Sequence, residues 1–330
     1  MSSTEGSGPT ISVVVPLYQK RHRIEACIAS VQAQDVQPLE VLLIDDGSTD
    51  GGGEVARALD VAGVRYVRQE NRGVSVARNR GIGLARGEYV AFLDADDTWH
   101  ADHLGTLTAL ARAYPEATLL GTGWSEDGNA VRDPFGTPGE VAIDLAGFLK
   151  RAAAGWPPFW TSAVAFRRSC LAKADLFPAG SRIAEDQDAW LTLLRLGGGV
   201  RSDRVTAVYH HDGLNPTIRK PHPDDFESVI FGRWSAEAAD KTPEYRAFVA
   251  AHRLYTIERH IGYTPNRRLV TYLRETRPPR GRMRAARAYL RIARDEVRRR
   301  RVRLWTRLTG SRAGPGSKHN NRTPSTGEVS

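Results

Sequence analysis

The sequence predicts an α/β fold in which a mostly parallel sheet is flanked by helices and followed by a helical C-terminal extension. Two short aliphatic runs, at 11–15 and 41–44, and the segment 64–67, which begins and ends with Val, are predicted strands. Segment 23–31 repeats its apolar residues every three or four positions, as one face of a helix does, and 51–59 is a second predicted helix. This β-α-β-α-β order is typical of the start of a doubly wound parallel sheet.

The first predicted strand, Ile11 to Val15, is an almost continuous run of Ile and Val, which suits a central strand buried on both faces. We expect Pro16 to end it. The turn that follows reads Leu17-Tyr18-Gln19 and contains no glycine-rich stretch, so the dinucleotide-binding fingerprint is missing. Its absence argues against a nicotinamide-dependent enzyme.

The later elements are assigned from the same patterns. In order they are a helix over 73–87, a strand over 90–93, a helix over 101–114 that begins near Trp99, a strand over 118–123, a surface loop over 126–139, a helix over 143–152, a strand over 161–166, a helix that opens at 185 and a strand over 204–209. The aromatic segment Trp156 to Trp160 includes two prolines. Either it packs a loop onto the core or it stacks on a sugar ring.

The chain divides into five predicted regions. They are a flexible N-terminus (1–10), one α/β domain (11–215), a helical C-terminal region (216–276), an Arg-rich amphipathic helix (277–310) and a disordered tail (311–330).

Composition limits the class of protein. With 41% hydrophobic and 26% charged residues the chain is expected to be a soluble globular protein. Cys27 and Cys170 form no spaced framework, so neither a disulfide scaffold nor a zinc site is indicated. Because no signal-peptide core and no run of about 18 apolar residues is found, we expect a cytoplasmic protein that does not span a membrane.

The positive charge is concentrated near the C-terminus. Residues 277–312 contain fourteen Arg against two acids, so this segment has a net charge of +12. Since the whole chain has a net charge of +9, the rest of the chain has a net charge of −3. Apolar residues recur at threes and fours along its helix, at Met283, Ala286, Leu290, Ala293, Val297, Leu304 and Leu308. We expect this helix to lie on the anionic inner face of a membrane; the alternative is packing against the protein itself or a second subunit.

Acidic side chains follow two of the predicted strands directly. Asp94, Asp96 and Asp97 follow the strand over 90–93, and Asp45 and Asp46 follow the strand over 41–44. Carboxylates this close repel one another unless a cation lies among them, and hard oxygen ligands suit Mg²⁺ or Mn²⁺. The alternative for the first group is an Asp-rich turn that caps the next helix. Since the carboxyl ends of parallel strands share one edge, both groups are expected to face one crevice.

Five motifs in this order resemble the inverting family 2 nucleotide-sugar glycosyltransferases, which have the Rossmann-like GT-A fold. The matching residues are Pro16-Leu17-Tyr18, Asp45-Asp46-Gly47-Ser48, Asn71-Arg72-Gly73 with Ala77-Arg78-Asn79, Asp94-Ala95-Asp96 and Glu185-Asp186. The resemblance covers roughly the first 215 residues. Gln19 replaces the usual Asn, and Ala184 stands where many members have Gly.

The resemblance implies a site and a reaction. Nucleotide-binding residues would be Pro16, Tyr18, Asp46, Asn71, Arg78, Asp94 and Ala95; a Mn²⁺ or Mg²⁺ ion would be held by Asp96, Asp94 and His211; and the catalytic acids would be Asp186, as general base, and Glu185. The implied reaction moves a sugar, with inversion, from a nucleotide-sugar, most simply a UDP-sugar, to a hydroxyl of a glycan, a lipid-linked acceptor or a small molecule. A cell-surface polysaccharide is one such acceptor.

Several of these assignments have alternatives in the residues themselves. Arg78 and Arg80 could lie on a solvated helix face, and Glu185 with Asp186 could simply cap a helix N-terminus. His210 could take the place assigned to His211, or both could lie in an ordinary surface turn.

Two other functions need different evidence. A nucleic-acid-binding protein led by the Arg-rich segment would lose binding steeply with salt, but the charge distribution argues against nucleic acid as a partner of the folded domain. A non-catalytic carbohydrate-binding relative would be expected to lack some of the acids, and all of them are present.

Overall fold

The structure is a computed structural model that describes residues 8–211 apart from 60, 136–137, 172–175 and 182, and then 230, 233–234, 242–260, 269–270 and 291. The predicted Arg-rich helix and tail lie outside these residues, except for Arg291. So do most of the predicted flexible N-terminus and about half of the region over 216–276.

The described elements alternate as the sequence predicts. They are β1 (Ile11–Leu17), α1 (Ile24–Gln32), β2 (Glu40–Asp45), α2 (Gly52–Ala58), β3 (Val64–Arg68), α3 (Val74–Leu84), β4 (Tyr89–Phe92), β5 (Thr98–Trp99), α4 (His103–Ala113), β6 (Leu119–Glu126), β7 (Asn129–Ala130), β8 (Glu140–Ile143), α5 (Leu145–Ala153), β9 (Val164–Arg167), α6 (Glu185–Leu196), β10 (Gly199–Tyr209) and α7 (Pro243–His260). Two short 3₁₀ turns, Thr161–Ala163 and Arg168–Cys170, flank β9.

One mixed sheet runs through the described residues in the order β3-β2-β1-β4-β9-β6-β10-β5, with β7 beside β6 and β8 beside β10. The first four strands in this order, β3, β2, β1 and β4, are parallel to one another and form the predicted doubly wound part. Strand β9 is antiparallel to both β4 and β6, whereas β6 and β10 are parallel. The α/β fold class with helices on both faces is therefore confirmed.

Helices cover the two faces of the sheet in separate layers. Val13 and Val15 of β1 belong to one apolar core with α1 and α4, and Val14 belongs to the opposite core with α5 and α6. Helix α3 lies very close to β1, because a Cβ on Gly81 would come within 2.3 Å of Val14. This glycine lets the helix that carries Arg78 approach the strand closely.

Some predicted boundaries were wrong. Pro16 does not end β1, which continues to Leu17 with Pro16 opposite Ile44 of β2. The pairing of β1 with β4 has already ended at Val14, so the N–H that Pro16 lacks is not needed on that side. The helix expected near Trp99 begins only at His103, since Thr98 and Trp99 form β5 against β10.

Two further boundaries moved because of tertiary pairing. Residues 161–163 form a 3₁₀ turn and the strand begins at Val164. Strand β10 begins at Gly199, five residues before the predicted start, because β6 and β8 pair with its first half.

The chain separates into two compact units, 1–253 and 254–330. The first contains the whole sheet and helices α1 to α6. Helix α7 begins in the first unit and ends in the second, where residues 269–270 and 291 are also helical. In the part of the chain that the structure describes, no helix has the length and hydropathy that crossing a bilayer requires.

Candidate active site

Strands β2, β1 and β4 are adjacent and parallel, so the turns that follow them meet at one edge of the sheet. Two of these turns carry the predicted acids. We name them the first turn, residues 45–48, and the second turn, residues 94–97. The N-terminus of α6, with Glu185 and Asp186, reaches the same crevice through contacts described below.

Asp45 and Asp46 of the first turn are held by the chain around them. The fully buried carboxylate of Asp45 accepts hydrogen bonds from the Ser48 N–H at 2.8 Å and the Tyr66 hydroxyl at 2.5 Å. Burial, followed by this hydrogen bond to a carboxylate, raises the pKa of Tyr66 to about 12. Arg68 adds an ion pair to Asp45 at 3.4 Å.

Asp46 braces the start of α3. Its Oδ1 accepts from the Arg72 N–H at 2.9 Å and from Gln69 Nε2 at 2.8 Å, and its Oδ2 accepts from the Gly73 N–H at 2.8 Å. Gly73, the residue before the helix, has φ of +90°, a conformation that favours glycine. The exposed Asn71, a predicted nucleotide-binding residue, is presented by this braced segment.

The turn after β1 is joined to the first turn by Gln19, the residue that replaces the usual Asn. Its side-chain Oε1 accepts from the Thr49 N–H at 2.9 Å and the Asp50 N–H at 3.1 Å, and its own N–H donates to Ser48 Oγ at 3.2 Å. Gln19 has φ of +55°, which is uncommon for a residue with a side chain. The longer side chain therefore fixes the half-buried Tyr18 beside the first turn.

Two basic side chains reach the carboxylates of the second turn. Arg78 lies 2.7 Å from Asp94, and Lys20 lies 2.5 Å from Asp96. Asp97 accepts from Ser162 Oγ at 2.5 Å, and its burial, with the charges of Asp94 and Asp96, raises its pKa well above the ordinary value. The predicted Asp-rich helix cap is not what the structure has, since α4 begins only at His103 and its first-turn N–H groups receive no Asp side chain.

Arg78 connects the second turn to α6. Its guanidinium is 5% exposed, and besides Asp94 it contacts Glu185 at 3.3 Å and the ring of Phe177 at 5.3 Å. A solvated helix face is therefore excluded for Arg78. Arg80 is exposed and donates to the Arg68 carbonyl, so that alternative describes Arg80 well.

Asp186 lies in the first turn of α6, where its Oδ1 accepts from the Gln187 N–H at 2.7 Å and its Oδ2 lies 3.5 Å from Thr161 Oγ1. Desolvation by the surrounding protein, and next the charge of Glu185, raise the pKa of Asp186 to about 7, although Arg78 opposes the rise. A carboxylate with a pKa near the working pH is well suited to accept a proton. Helix α6 starts from Ala184 at φ of +63°, a conformation that glycine adopts more readily than a residue with a Cβ.

The histidine pair is divided between two places. His210 Nε2 lies 2.9 Å from Thr98 Oγ1, and its N–H lies 3.4 Å from Asp97, so His210 is beside the second turn. His211, the residue assigned to the metal from the sequence, is exposed. Its ring lies 3.6 Å from the Glu126 carboxylate, and its main-chain N–H donates to Asp127 Oδ1. Of the two residues, His210 therefore lies nearer to the second turn, through its main-chain N–H, while its ring contacts Thr98.

Sequence reasoning missed three contacts that organise the site. Lys20 belongs to none of the five motifs, and it contacts Asp96, which lies 76 positions further along the sequence. Ser162 donates to Asp97 and accepts from the Asp94 N–H at 3.1 Å, so the 3₁₀ turn 161–163 connects the second turn with Asp186. A Ser in an apolar stretch gives no signal of this role.

The aromatic segment packs into a stack. Trp124 of β6 lies between Trp156 and Trp160, with ring centroids 6.0 and 5.9 Å away, and Trp160 also meets Tyr209 edge-on at 5.0 Å. Packing onto the core is thus the observed role of both outer tryptophans.

The donor chemistry of the second turn fits a Mn²⁺ or Mg²⁺ ion. Its ligands would be hard carboxylate oxygens. The second turn also has an excess of negative charge: after burial, the charges of Asp94 and Asp96 help to raise the pKa of Asp97 and of Tyr209. Among the described residues, no three His, Cys, Asp or Glu side chains are already arranged around one ion position. One or two carboxylates would be enough, since Mg²⁺ in proteins usually takes its other ligands from water and substrate phosphates.

Comparison with known proteins defines the class. The pattern described as Glycosyl transferase family 2 matches residues 12–168. The glycosyltransferase EpsJ of Bacillus subtilis (strain 168) is 43% identical over 239 residues, which are 70% of this chain and 69% of EpsJ. The glycosyltransferase YibD of Escherichia coli (strain K12) is 44% identical over 103 residues, only 30% of its own length.

Solved structures agree on the fold. Staphylococcus aureus TarS 1-349, in complex with UDP-GlcNAc, superposes with a TM-score of 0.64 at 19% identity, over 91% of this chain and 92% of that one. The mannosyltransferase PcManGT from Pyrobaculum calidifontis, in complex with GDP-Man and Mn²⁺, gives a TM-score of 0.54 at 20% identity, over 92% and 85%. The chain belongs to glycosyl transferase family 2 and has the GT-A fold; it is a glycosyltransferase.

Proposed function

We propose that the protein moves a sugar, with inversion, from a UDP-sugar to a hydroxyl acceptor and that Asp186 is the general base. One observation carries this proposal: Asp186, with its pKa raised to about 7, lies on the same crevice as the two acid-bearing turns that follow β2 and β4. The UDP-GlcNAc bound to TarS and the GDP-Man bound to PcManGT support a nucleotide-sugar as the class of donor.

The reaction needs one proton transfer and one displacement. Asp186 accepts the proton of the acceptor hydroxyl as that oxygen bonds to the anomeric carbon, and the bond from this carbon to the diphosphate oxygen breaks on the opposite face. Glu185 and Arg78 set the charge around the base. Thr161 lies 3.5 Å from Asp186 Oδ2 and can orient that carboxylate.

The nucleotide-sugar donor is assigned to the first turn, the second turn and the residues beside them. Tyr18, Asp46 and Asn71 would hold the nucleoside, with Pro16 and Ala95 shaping its pocket, and Arg78 and Asp94 would border the diphosphate. A Mn²⁺ or Mg²⁺ ion, when bound by Asp96 and Asp94 with His210 or His211, would neutralise the charge that develops on the leaving diphosphate.

The acceptor is proposed only as a class: a hydroxyl of a glycan, of a lipid-linked saccharide or of a small molecule. Fold and donor chemistry do not determine the acceptor, because these are properties of different parts of the site.

Thermal unfolding of the full-length protein with nucleoside diphosphates tests the donor assignment. With UDP and Mn²⁺ at about 100 times Kd, we expect the unfolding temperature to rise by about 2 °C or more, since a ligand of the native state stabilises it. GDP and ADP serve as controls for the base. If neither UDP nor any other nucleoside diphosphate raised the unfolding temperature, that result would contradict a nucleotide-sugar donor.

We also propose that the Arg-rich helix over 277–310, which lies outside the described residues except for Arg291, attaches the protein to the cytoplasmic face of the membrane. The support is its apolar stripe and its charge of +11, from thirteen Arg and two acids, because each Arg near an anionic surface contributes roughly 1 kcal/mol. Flotation with vesicles containing anionic lipid tests this. Full-length protein should float at low salt and a chain ending at Thr276 should not; equal behaviour of the two would contradict the proposal.

A further inference from the structure

Lys20 forms an ion pair with the predicted metal ligand Asp96. Its Nζ lies 2.5 Å from Asp96 Oδ2, and the two side chains are 8% and 9% exposed. An ion pair this enclosed is screened little by salt.

The position of Lys20 is fixed by the backbone of its turn. The Lys20 carbonyl accepts from the N–H groups of Arg23 at 3.0 Å and Ile24 at 3.1 Å, which opens α1. The preceding Gln19 is anchored to the first turn through Ser48. The main chain at Lys20 is therefore rigid, and the four-carbon side chain is the part that can move.

The two cations of the second turn differ in this respect. Arg78 is held by two carboxylates and by the ring of Phe177, so its guanidinium has a fixed place. Lys20 is a compact point charge on a flexible stem. An oxygen of Asp96 that binds a small divalent ion at about 2 Å cannot keep the ammonium at hydrogen-bond distance without placing two cations side by side.

We propose that Lys20 is a built-in counter-cation that occupies Asp96 when no donor is bound, so that a divalent ion reaches Asp96 only by displacing the ammonium, which the diphosphate of the donor then accepts. The inference rests on the proposed nucleotide-sugar donor. Its consequence is cooperativity: Mn²⁺ alone binds weakly, UDP gives the displaced ammonium a new partner, and each ligand strengthens binding of the other by the same factor.

Titration of full-length protein with Mn²⁺, followed by the electron paramagnetic resonance signal of the free ion, tests this with and without saturating UDP. Without UDP, Lys20→Met should bind Mn²⁺ on the order of tenfold more tightly than the parent protein, and the strengthening of Mn²⁺ binding by UDP should shrink by a similar factor. Arg21→Met removes an equal charge from an exposed position in the same turn and should change Mn²⁺ affinity less than threefold.

A second variant and a second readout guard against misfolding. Lys20→Gln keeps a neutral donor near Asp96, and in both variants Mn²⁺ alone should raise the unfolding temperature more than it does in the parent protein, because the ion no longer competes with the ammonium for the carboxylate. Mn²⁺ affinity that is unchanged, weaker or unmeasurable in both variants overturns the inference. The arm without UDP separates the two proposals, since it gives its answer even if UDP proves not to be the donor nucleotide.

Discussion

The first and second turns look alike in sequence and differ in how their acids are satisfied. Both follow a short buried strand at the same edge of the sheet. In the first turn most of the hydrogen bonds to the acids come from neutral donors, the N–H groups of residues 48, 72 and 73, a tyrosine hydroxyl and a glutamine amide. In the second turn an ammonium and a guanidinium hold Asp96 and Asp94. Main-chain N–H groups stay where the fold puts them, whereas a side-chain cation can be exchanged for another, so the first turn is a scaffold and the second can respond to charge.

The largest effect is expected where the second turn is connected to α6. Asp186→Asn should lower turnover by about 10²-fold or more, because an amide cannot accept the proton of the acceptor, and donor affinity should be nearly unchanged. Steady-state kinetics together with UDP binding by calorimetry would measure both. Turnover within a few fold of the parent protein would reduce Asp186 to a helix cap.

The pKa of Asp186 gives this prediction a pH dependence. The base is ionised above its pKa of about 7, so kcat/KM should rise with pH through about 7 and then level off. In Asp186→Asn the residual activity should lack that rise. A rise that persists in the variant would assign the titration to another group.

The next effect is on stability and concerns Arg78. Arg78→Met leaves the carboxylates of Asp94 and Glu185 facing one another without their shared cation, so the free energy of unfolding should fall by roughly 2 kcal/mol, less than for a fully buried pair because Asp94 is 30% exposed. Urea unfolding measures the loss. Arg80→Met, on the exposed side of the same helix, is the matched control and should cost less than about 0.5 kcal/mol. If the two variants lost equal free energy of unfolding, the ion pairs of Arg78 with Asp94 and Glu185 would not contribute to stability.

A paired substitution compares the two turns directly. With Asp96→Ala, UDP affinity should no longer differ between Mn²⁺ and a chelator, since the ligand that responds to the ion is gone. With Asp46→Asn, UDP affinity should drop by about tenfold with Mn²⁺ and with chelator alike, because the brace on 69–73 is weakened in either condition. Calorimetric titrations give all four values. Metal dependence that survives in Asp96→Ala would break the distinction between the turns.

The fold was predictable where one pattern decides a strand. The runs that became β1, β2 and β4 are apolar almost throughout, and strands buried on both faces need that composition. The predictions failed where pairing partners decide instead. Thr98 and Trp99 form β5 because β10 lies alongside, and a two-residue strand leaves no periodicity to detect.

The candidate site was predictable as a set of acids and not as a network. Acids that end parallel strands of one sheet lie at the same edge, which made the second turn and the first turn identifiable together. Lys20 and Ser162 could not be found this way, because they meet Asp96 and Asp97 only through the folded chain, across 76 and 65 positions. Which of His210 and His211 meets an ion stays a prediction, since a shift of one residue near a strand end turns the side chain to the opposite side.

The smallest effect tests whether the first turn is a scaffold. Tyr66→Phe removes the hydroxyl that donates to the buried carboxylate of Asp45 and leaves the Ser48 N–H and the Arg68 ion pair in place. The free energy of unfolding should fall by about 1 kcal/mol, because one hydrogen bond to a charged acceptor is lost while the others remain. UDP affinity should stay within twofold, with and without Mn²⁺, since the main-chain donors still hold the turn. Urea unfolding and calorimetry on the same samples provide both numbers. If the ratio of UDP affinities with and without Mn²⁺ differed from that of the parent protein in this variant, the first turn would also respond to charge, and the contrast with the second turn would fail.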